Sequence, residues 1–264
     1  MTGRLGRLVA VGRTAEVYVF DGGVVKLHFP TFEANARLEA EVGATLVSTG
    51  LAAPRLLGTE TIDGRVGLVY ERADGPSMLA ALVSRPWAVR SLARTFAELH
   101  AGQHDTPADA LPSLRSVLRH TVITAEMPER VREAALHRLD GLPDGDSLCH
   151  GDMHPGNVIL TRAGAMVIDW VTATRGPAAA DIARTEYLLR HAAAERMRTT
   201  RGALVAVLRR RFTRDYRSRY RQLRPIPEAE LAEWRLPILA ARLGEGVAAD
   251  DPTLATLLAR ELRR

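Results

Sequence analysis

The amino-acid sequence predicts an α+β protein in two parts, a small β-rich lobe with one helix over residues 1–73 and a larger, mostly helical lobe over residues 74–264. Three observations predict it. β-Branched residues recur in alternation through the first 70 residues, broken by two Asp-Gly pairs. Past the break "RADGPS", residues 72–77, apolar residues recur at helical spacing instead. One short strand-forming insert, "SLCHGDMHPGNVILTRAGAMVIDW" at residues 147–170, interrupts the helical pattern.

The elements follow in order. "RLVAVG" (7–12) and "EVYVFDGGVVKLHF" (16–29) read as strands, with Asp21-Gly22-Gly23 as a tight turn. "TFEANARLEAEVGATLVSTG" (31–50) reads as a helix, acidic at its start and ended by Gly50. "RLLGTETIDGRVGLVYE" (55–71) reads as two strands around Asp63-Gly64. In the second lobe "MLAALVSRPWAVRSLARTFAELHAG" (78–102) is helical but interrupted near Pro86, where a backbone donor is missing. "LPSLRSVLRHTVITAEM" (111–127) and "PERVREAALHRLDGL" (128–142) are two further helices. From "AAADIARTEYLLRHAAAERM" (178–197) to the end the chain is mostly helical, and no internal repeat is visible.

Composition narrows the function. The chain has 264 residues, 46% hydrophobic and 25% charged, ordinary for a globular protein with a sizeable core. No apolar run is long enough to span a bilayer, so no membrane partner is expected. "MTGRLGRLVAVG" lacks the apolar core of a signal peptide, and a lone cysteine, Cys149, excludes an internal disulfide framework. A cytoplasmic protein is expected. The net charge of +5 is uneven: "RTTRGALVAVLRRRFTRDYRSRYRQLRP" (198–225) is dense in arginine. It reads first as a solvated helix face; the functional alternative is an anionic partner, a nucleic acid or a phosphorylated ligand.

Two features carry chemistry. Of 36 lysines plus arginines only Lys26 is a lysine, a compact point charge in a chain that otherwise uses planar guanidinium groups. "LCHGDMHPGNVIL" places His150, Asp152 and Asn157 in the pattern H-x-D-x-x-x-x-N, the spacing of a kinase catalytic loop. "NVIL" and "MVIDW" then read as a hairpin around "TRAGA". A turn centred on Ala163-Gly164 sets Val158 opposite Asp169 and brings Asn157 close to Asp169, a pair of oxygen donors suited to Mg²⁺. Lys26 needs a carboxylate behind it; the following helix offers Glu39 and Glu41, of which Glu39 is preferred. Upstream, "VGRTAEVYVF" supplies a candidate phosphate-covering loop, with Gly12 for close backbone approach and Thr14 for a hydroxyl.

With "VGRTAEVYVFDGGVVKL", "LEAEVGATLVSTGLAAPRLLG", "LVYERADG", "FAELH", "HGDMHPGNVIL", "VIDW" and "DIARTEYLL", the chain resembles the aminoglycoside phosphotransferase and choline kinase-like family, distant relatives of protein kinases, over nearly its whole length. The resemblance implies a bilobal protein-kinase-like fold and ATP- or GTP-dependent phosphorylation of a small-molecule hydroxyl. It implies that Asp152 is the catalytic base and that Asn157 and Asp169 hold Mg²⁺. Lys26 grips the α/β-phosphates, oriented by Glu39. Tyr70 resembles the gatekeeper, the backbone at Glu71 and Ala73 meets the purine edge, and His150 and Asp181 support the loop. Two departures are plain: "IDWV" lacks the glycine that protein kinases place after the metal-binding Asp, and the phosphate loop has one glycine rather than three.

The acceptor stays open. An aminoglycoside, with a role in antibiotic resistance, calls for an acidic cleft, toward which Glu98, Asp105, Asp181, Glu186 and Glu233 are candidates. Choline or ethanolamine calls for an aromatic cage. A sugar, thiamine or a sugar phosphate remains alongside. The alternatives of another class are a non-catalytic nucleotide-binding protein and a nucleic-acid-binding protein. No nucleic-acid partner is expected, and the chain is expected to be a monomer or weak dimer.

Overall fold

The structure, a computed structural model, describes residues 5–47, 49–191, 201–245 and 252–263. Residues 192–197 of the helix read from "AAADIARTEYLLRHAAAERM", and residues 198–200 of the arginine-dense stretch, lie outside the described residues. The chain forms two compact units. One comprises Met1–Ser84 with Pro155–Ala173, the other Arg85–His154 with Thr174–Arg264. Neither is one continuous stretch of chain, so the division differs from the expected one at residue 73.

The first unit is built on a five-stranded antiparallel sheet. Its strands are β1 (Leu8–Val11), β2 (Ala15–Phe20), β3 (Gly23–His28), β4 (Leu56–Ile62) and β5 (Arg65–Tyr70), in the spatial order β1-β2-β3-β5-β4. Both tight turns form where the Asp-Gly pairs predicted them. Asp21 and Gly22 have φ of 42° and 79°, and Asp63 and Gly64 have 51° and 75°, the consecutive left-handed residues that match the twist of a two-residue hairpin. The single helix α1 (Glu33–Val47) buries Ala36, Glu39, Val42, Gly43 and Leu46, a stripe at helical spacing. A side chain at Gly43 would come within 3.0 Å of Leu56, so the glycine lets helix and sheet approach closely.

A short helix, α2 (Met78–Ser84), completes the N-terminal part of this unit. The later hairpin joins it by backbone hydrogen bonds. Leu160 N donates to Pro76 O at 2.9 Å and Val167 N to Ala52 O at 2.7 Å. A Cβ at Gly75 would lie 1.9 Å from Leu160 O, so no other residue fits that crossing without displacement.

The second unit is mainly helical: α3 (Val89–His104), α4 (Leu114–Thr124), α5 (Glu129–Asp140), α6 (Ala178–His191), α7 (Arg201–Leu223), α8 (Glu228–Gly244) and α9 (Pro252–Glu261). The interruption expected near Pro86 is a single 3-10 turn, Pro86–Ala88, ahead of α3. α3 packs along α7, where Phe96 meets Phe212 and Tyr216 edge to face at 5.4 and 5.3 Å. α8 packs on α4, α5 and α6 around the fully buried Trp234. Within the unit, β6 (Ser147–Cys149) pairs antiparallel with β9 (Thr174–Gly176), a pairing that sequence periodicity did not predict. The hairpin of the first unit, β7 (Val158–Thr161) and β8 (Gly164–Val167), lies between them in the sequence. Among the described residues no helix is long and apolar enough to cross a membrane.

Candidate active site

Lys26 lies in the middle of β3, and the sheet register decides what surrounds it. Lys26 pairs with Val17 on one side and Leu68 on the other, and Tyr70 pairs with Val24. Side chains two apart on a strand, and directly opposite across strands, share one face. Lys26, His28 and Tyr70 therefore point to the same face, against which α1 presents Glu39. The Lys26 ammonium donates to Glu39 Oε1 at 2.9 Å and Oε2 at 2.7 Å, and to Asp169 Oδ1 at 2.6 Å. Tyr70 Oη donates to Glu39 Oε1 at 3.1 Å. His28 Nε2 stands 3.3 Å from Glu39 Oε2 but off the line of a hydrogen bond, so both nitrogens of this buried ring lack a hydrogen-bonded partner.

The charges in this cluster depend on one another. Burial works against the Glu39 carboxylate, but His28 and Lys26 more than offset it and hold its pKa below the ordinary value. Burial likewise works against the Lys26 ammonium, and Glu39 and Asp169 outweigh it, raising its pKa. The Tyr70 phenol is pushed well up by burial and by Glu39, so it stays a donor. Exposure is graded across the cluster: the Glu39 side chain is 4% exposed, Lys26 14% and Asp169 40%.

The hairpin that carries Asp169 differs from expectation in register. Val158 faces Val167, not Asp169, and Thr161 faces Gly164, so the turn is Arg162-Ala163. Thr161 accounts for the shift. Its hydroxyl accepts from Ala163 N at 3.1 Å and donates to Gly164 O at 2.7 Å, closing the turn one residue earlier than the glycine suggested. At the open end of the hairpin Ile168 N, next to Asp169 in the chain, donates to Asn157 O at 2.9 Å. Asp169 itself has φ 66° and ψ 62°, a left-handed residue ahead of the 3-10 turn Trp170–Thr172, which packs on α1. Trp170 Nε1 anchors that turn by donating to Val167 O at 3.0 Å.

Gly12 and Thr14 lie in the tight connection between β1 and β2. Gly12 N donates to Ala15 O at 2.8 Å, and Thr14 O accepts from Phe29 N at 2.9 Å. Glu71 and Ala73 follow β5. Glu71 N donates to Arg55 O at 3.0 Å, and its carboxylate pairs with Arg55 at 2.7 Å.

Asp152 belongs to the second unit. Its Oδ2 lies 3.5 Å from His154 Nε2, and its N–H donates to His150 Nδ1 at 3.1 Å. Burial pushes its carboxyl up, but His154, Arg184 and His150 more than offset this and hold it well below the usual carboxylate range. Behind it, Asp181 of α6 accepts from His150 N at 2.7 Å and Gly151 N at 2.9 Å, fixing the backbone that carries Asp152. Asp181 Oδ2 also lies 3.1 Å from His100 Nε2 and 3.3 Å from His104 Nε2. The carboxylate only accepts, so each ring carries a proton on Nε2. The opposite nitrogens of the two rings meet Tyr216 Oη at 2.8 Å and Tyr220 Oη at 2.6 Å. These two histidines and Asp181 hold three ligand atoms within 4.8 Å, a spacing open to a metal ion, but each ring nitrogen already has a protein partner. Arg184 donates from Nε to Gly151 O and pairs with Glu245 at 2.6 Å.

The model of the phosphotransferase enzyme family matches residues 6–226. The chain belongs to that family. A comparison with curated protein sequences found no match. Among solved structures the chain is similar to an aminoglycoside-3'-phosphotransferase of type VIII at 20% identity and a TM-score of 0.62, covering 89% of this chain and 92% of that one. It is similar to APH(2″)-IIa in a ternary complex with streptomycin and ATP at 15% identity and a TM-score of 0.56, covering 99% and 91%. It is also similar to a choline/ethanolamine kinase family protein from Mesorhizobium loti at 16% identity and a TM-score of 0.54, covering 100% and 87%. At these identities the likeness establishes the fold, which is the protein-kinase-like α+β fold the sequence predicted.

Several contacts of this family member escaped the sequence. His28 and the Tyr70–Glu39 bond follow from strand register, which periodicity leaves open. His100 and His104 were visible as i, i+4 neighbours in "LHAGQH" but gave no sign of their partner 77 residues or more away. Arg184 carried no signal in a chain where arginine is the default cation.

Proposed function

We propose that this protein transfers the γ-phosphoryl group of ATP, or of GTP, to a hydroxyl of a small molecule. The observation that supports this most is the Lys26 ammonium held between Glu39 and Asp169, in a chain with no other lysine. A positioned point charge of this kind neutralises phosphate oxygens, and phosphoryl transfer depends mainly on positioning and charge neutralisation. Family membership and solved relatives that bind ADP, ATP and aminoglycosides point the same way.

In this reading Lys26 binds the α/β-phosphates and Glu39 keeps its stem oriented. The Gly12–Thr14 loop covers the phosphates, and the Glu71 carbonyl and Ala73 amide meet the base. The donors at the hairpin end suit Mg²⁺: a carboxamide and a carboxylate are hard oxygen ligands, and the Ile168–Asn157 backbone bond holds the two residues together. Asn157 and Asp169 would hold the ion, which when bound neutralises phosphate charge. Asp152, kept ionised by its neighbours, is a weak base. Its role is to orient the acceptor hydroxyl and to receive its proton late, as the transferring group departs.

Replacing Asp152 with Ala tests the reading. Turnover, followed by ADP release over a panel of aminoglycosides, choline, sugars, nucleosides and thiamine, is expected to fall by about 10²–10⁴. The Mg²⁺–ATP-induced thermal shift is expected to persist. Native turnover in Asp152→Ala, or no thermal shift with Mg²⁺–ATP in the wild type, would overturn it.

A further inference from the structure

We propose that Arg184 is a positioning residue for Asp152, kept in place by Glu245, a role that rests on the phosphotransferase reading above. Arg184 lies in α6 three residues after Asp181, so the two side chains are neighbours on one face of the helix. Asp181 Oδ1 accepts from Gly151 N at 2.9 Å, and Arg184 Nε donates to Gly151 O. One helix face thus grips both polar groups of Gly151, the residue before Asp152. Gly151 has φ 76°, in the left-handed region that glycine adopts without strain.

The Gly151 carbonyl and the Asp152 N–H belong to one planar peptide group. Its oxygen is held by Arg184 and its N–H donates to His150 Nδ1 at 3.1 Å, so the plane that leads into Asp152 is fixed at both edges. Arg184 is fixed in turn. Its Nη1 and Nη2 donate to Glu245 Oε1 at 2.6 Å and Oε2 at 3.1 Å, a two-pronged pair with the residue that ends α8. A guanidinium is planar and rigid, so these bonds and the one to Gly151 together define its orientation. Arg242 Nη1 also donates to Glu245 Oε2, which ties that carboxylate back to α8.

The charges agree with the geometry. Arg184 is only 8% exposed. Burial works against its charge, but Glu245, then Asp152 and Asp181, more than offset this and raise its pKa. Burial works equally against the Asp152 carboxylate, and Arg184 joins His154 and His150 in keeping it ionised. A buried ion pair adds little stability by itself, because desolvation offsets the attraction. The further bond, to the loop, is one that a pair joining α6 to α8 would not require.

Arg184→Met removes the planar fork and keeps much of the bulk. With wild-type circular dichroism as the check on folding, and well below the melting temperature, the ADP-release assay is expected to show kcat lower by about 10²-fold, the cost of a misplaced reacting group, with KM for ATP and the Mg²⁺–ATP thermal shift unchanged. Hydrogen exchange of the peptide spanning residues 149–153, read by mass spectrometry, is expected to be faster by about tenfold or more while the peptides of α4 and α5 keep the wild-type rate. A purely structural tie between helices would lower the melting temperature and leave kcat and this local exchange where they were. Glu245→Gln, a milder change, is expected to move both readouts in the same direction by less, and it carries the test where the methionine variant does not fold. Native kcat in Arg184→Met, a KM for ATP that rises as kcat falls, unchanged exchange at 149–153, or native values of both readouts in Glu245→Gln would each overturn the proposal. Exchange needs no turnover. A wild type that turns over no acceptor in the panel overturns the phosphotransferase reading, and faster exchange in Arg184→Met then still identifies Arg184 as the group that holds the loop.

Discussion

Lys26 has three N–H donors, and all three are engaged: two with Glu39 and one with Asp169. In the proposed function a phosphate oxygen would therefore have to displace one partner. Glu39 is buried and held additionally by Tyr70, whereas Asp169 is the exposed member, so in that reading Asp169 is the side expected to yield. Lys26→Met removes the ammonium from the buried Glu39 carboxylate and leaves it only Tyr70 and His28, and urea denaturation is expected to register a loss of up to about 3–5 kcal/mol. Adding Glu39→Met should recover most of it; a double variant as weak as the single one contradicts the pairing. Lys26→Arg keeps the charge but replaces a point donor by a planar fork, and a raised KM for ATP is expected in steady-state assays. The lysine was legible in the sequence because it stands alone, and the structure decides between the two glutamates the helix offered, since only Glu39, not Glu41, falls on the buried stripe of α1. The contacts of Tyr70 and His28 were not, since they depend on which strands are neighbours.

The hairpin shows how far local signals reach. Its existence was legible from "NVIL" and "MVIDW", but its register was set by the Thr161 hydroxyl rather than by Gly164. Its attachment to the N-terminal segment turns on Gly75. Gly75→Ala places a carbon against the Leu160 carbonyl, and a lowered melting temperature is expected, larger than for Gly22→Ala, where the space around the added carbon is open. The α3–α6–α7 junction titrates. Burial, then His100, lower the His104 pKa to about 4, against 6.5 for a free imidazole. The unfolded chain takes up the proton first, so this contribution is complete above about pH 6.5 and is lost as pH falls toward 4. The unfolding free energy read from urea denaturation is expected to drop over that interval, on the order of a few kcal/mol, and the midpoint with it, and His104→Gln should flatten the slope. A midpoint independent of pH between 7 and 4.5 would exclude the buried neutral ring.

Across the molecule the chain passes from one compact unit to the other three times, at residues 84/85, 154/155 and 173/174. Periodicity reads contiguous stretches, which is why it marks the change of character near residue 73 and is blind to the return of residues 155–173 to the sheet unit. The fragment of residues 1–84 therefore lacks its own hairpin and the turn that packs on α1, and dispersed amide resonances are not expected from it alone. A folded 1–84 fragment would show that the sheet stands without them. The solitary ε-amine has one more consequence. An amine-selective acylating reagent has a single side-chain amine to modify in this whole chain, and that nitrogen is clasped by two carboxylates. The speed at which it is modified, read by the mass of the peptide that carries Lys26, thus reports how often the clasp opens, with no other lysine to subtract.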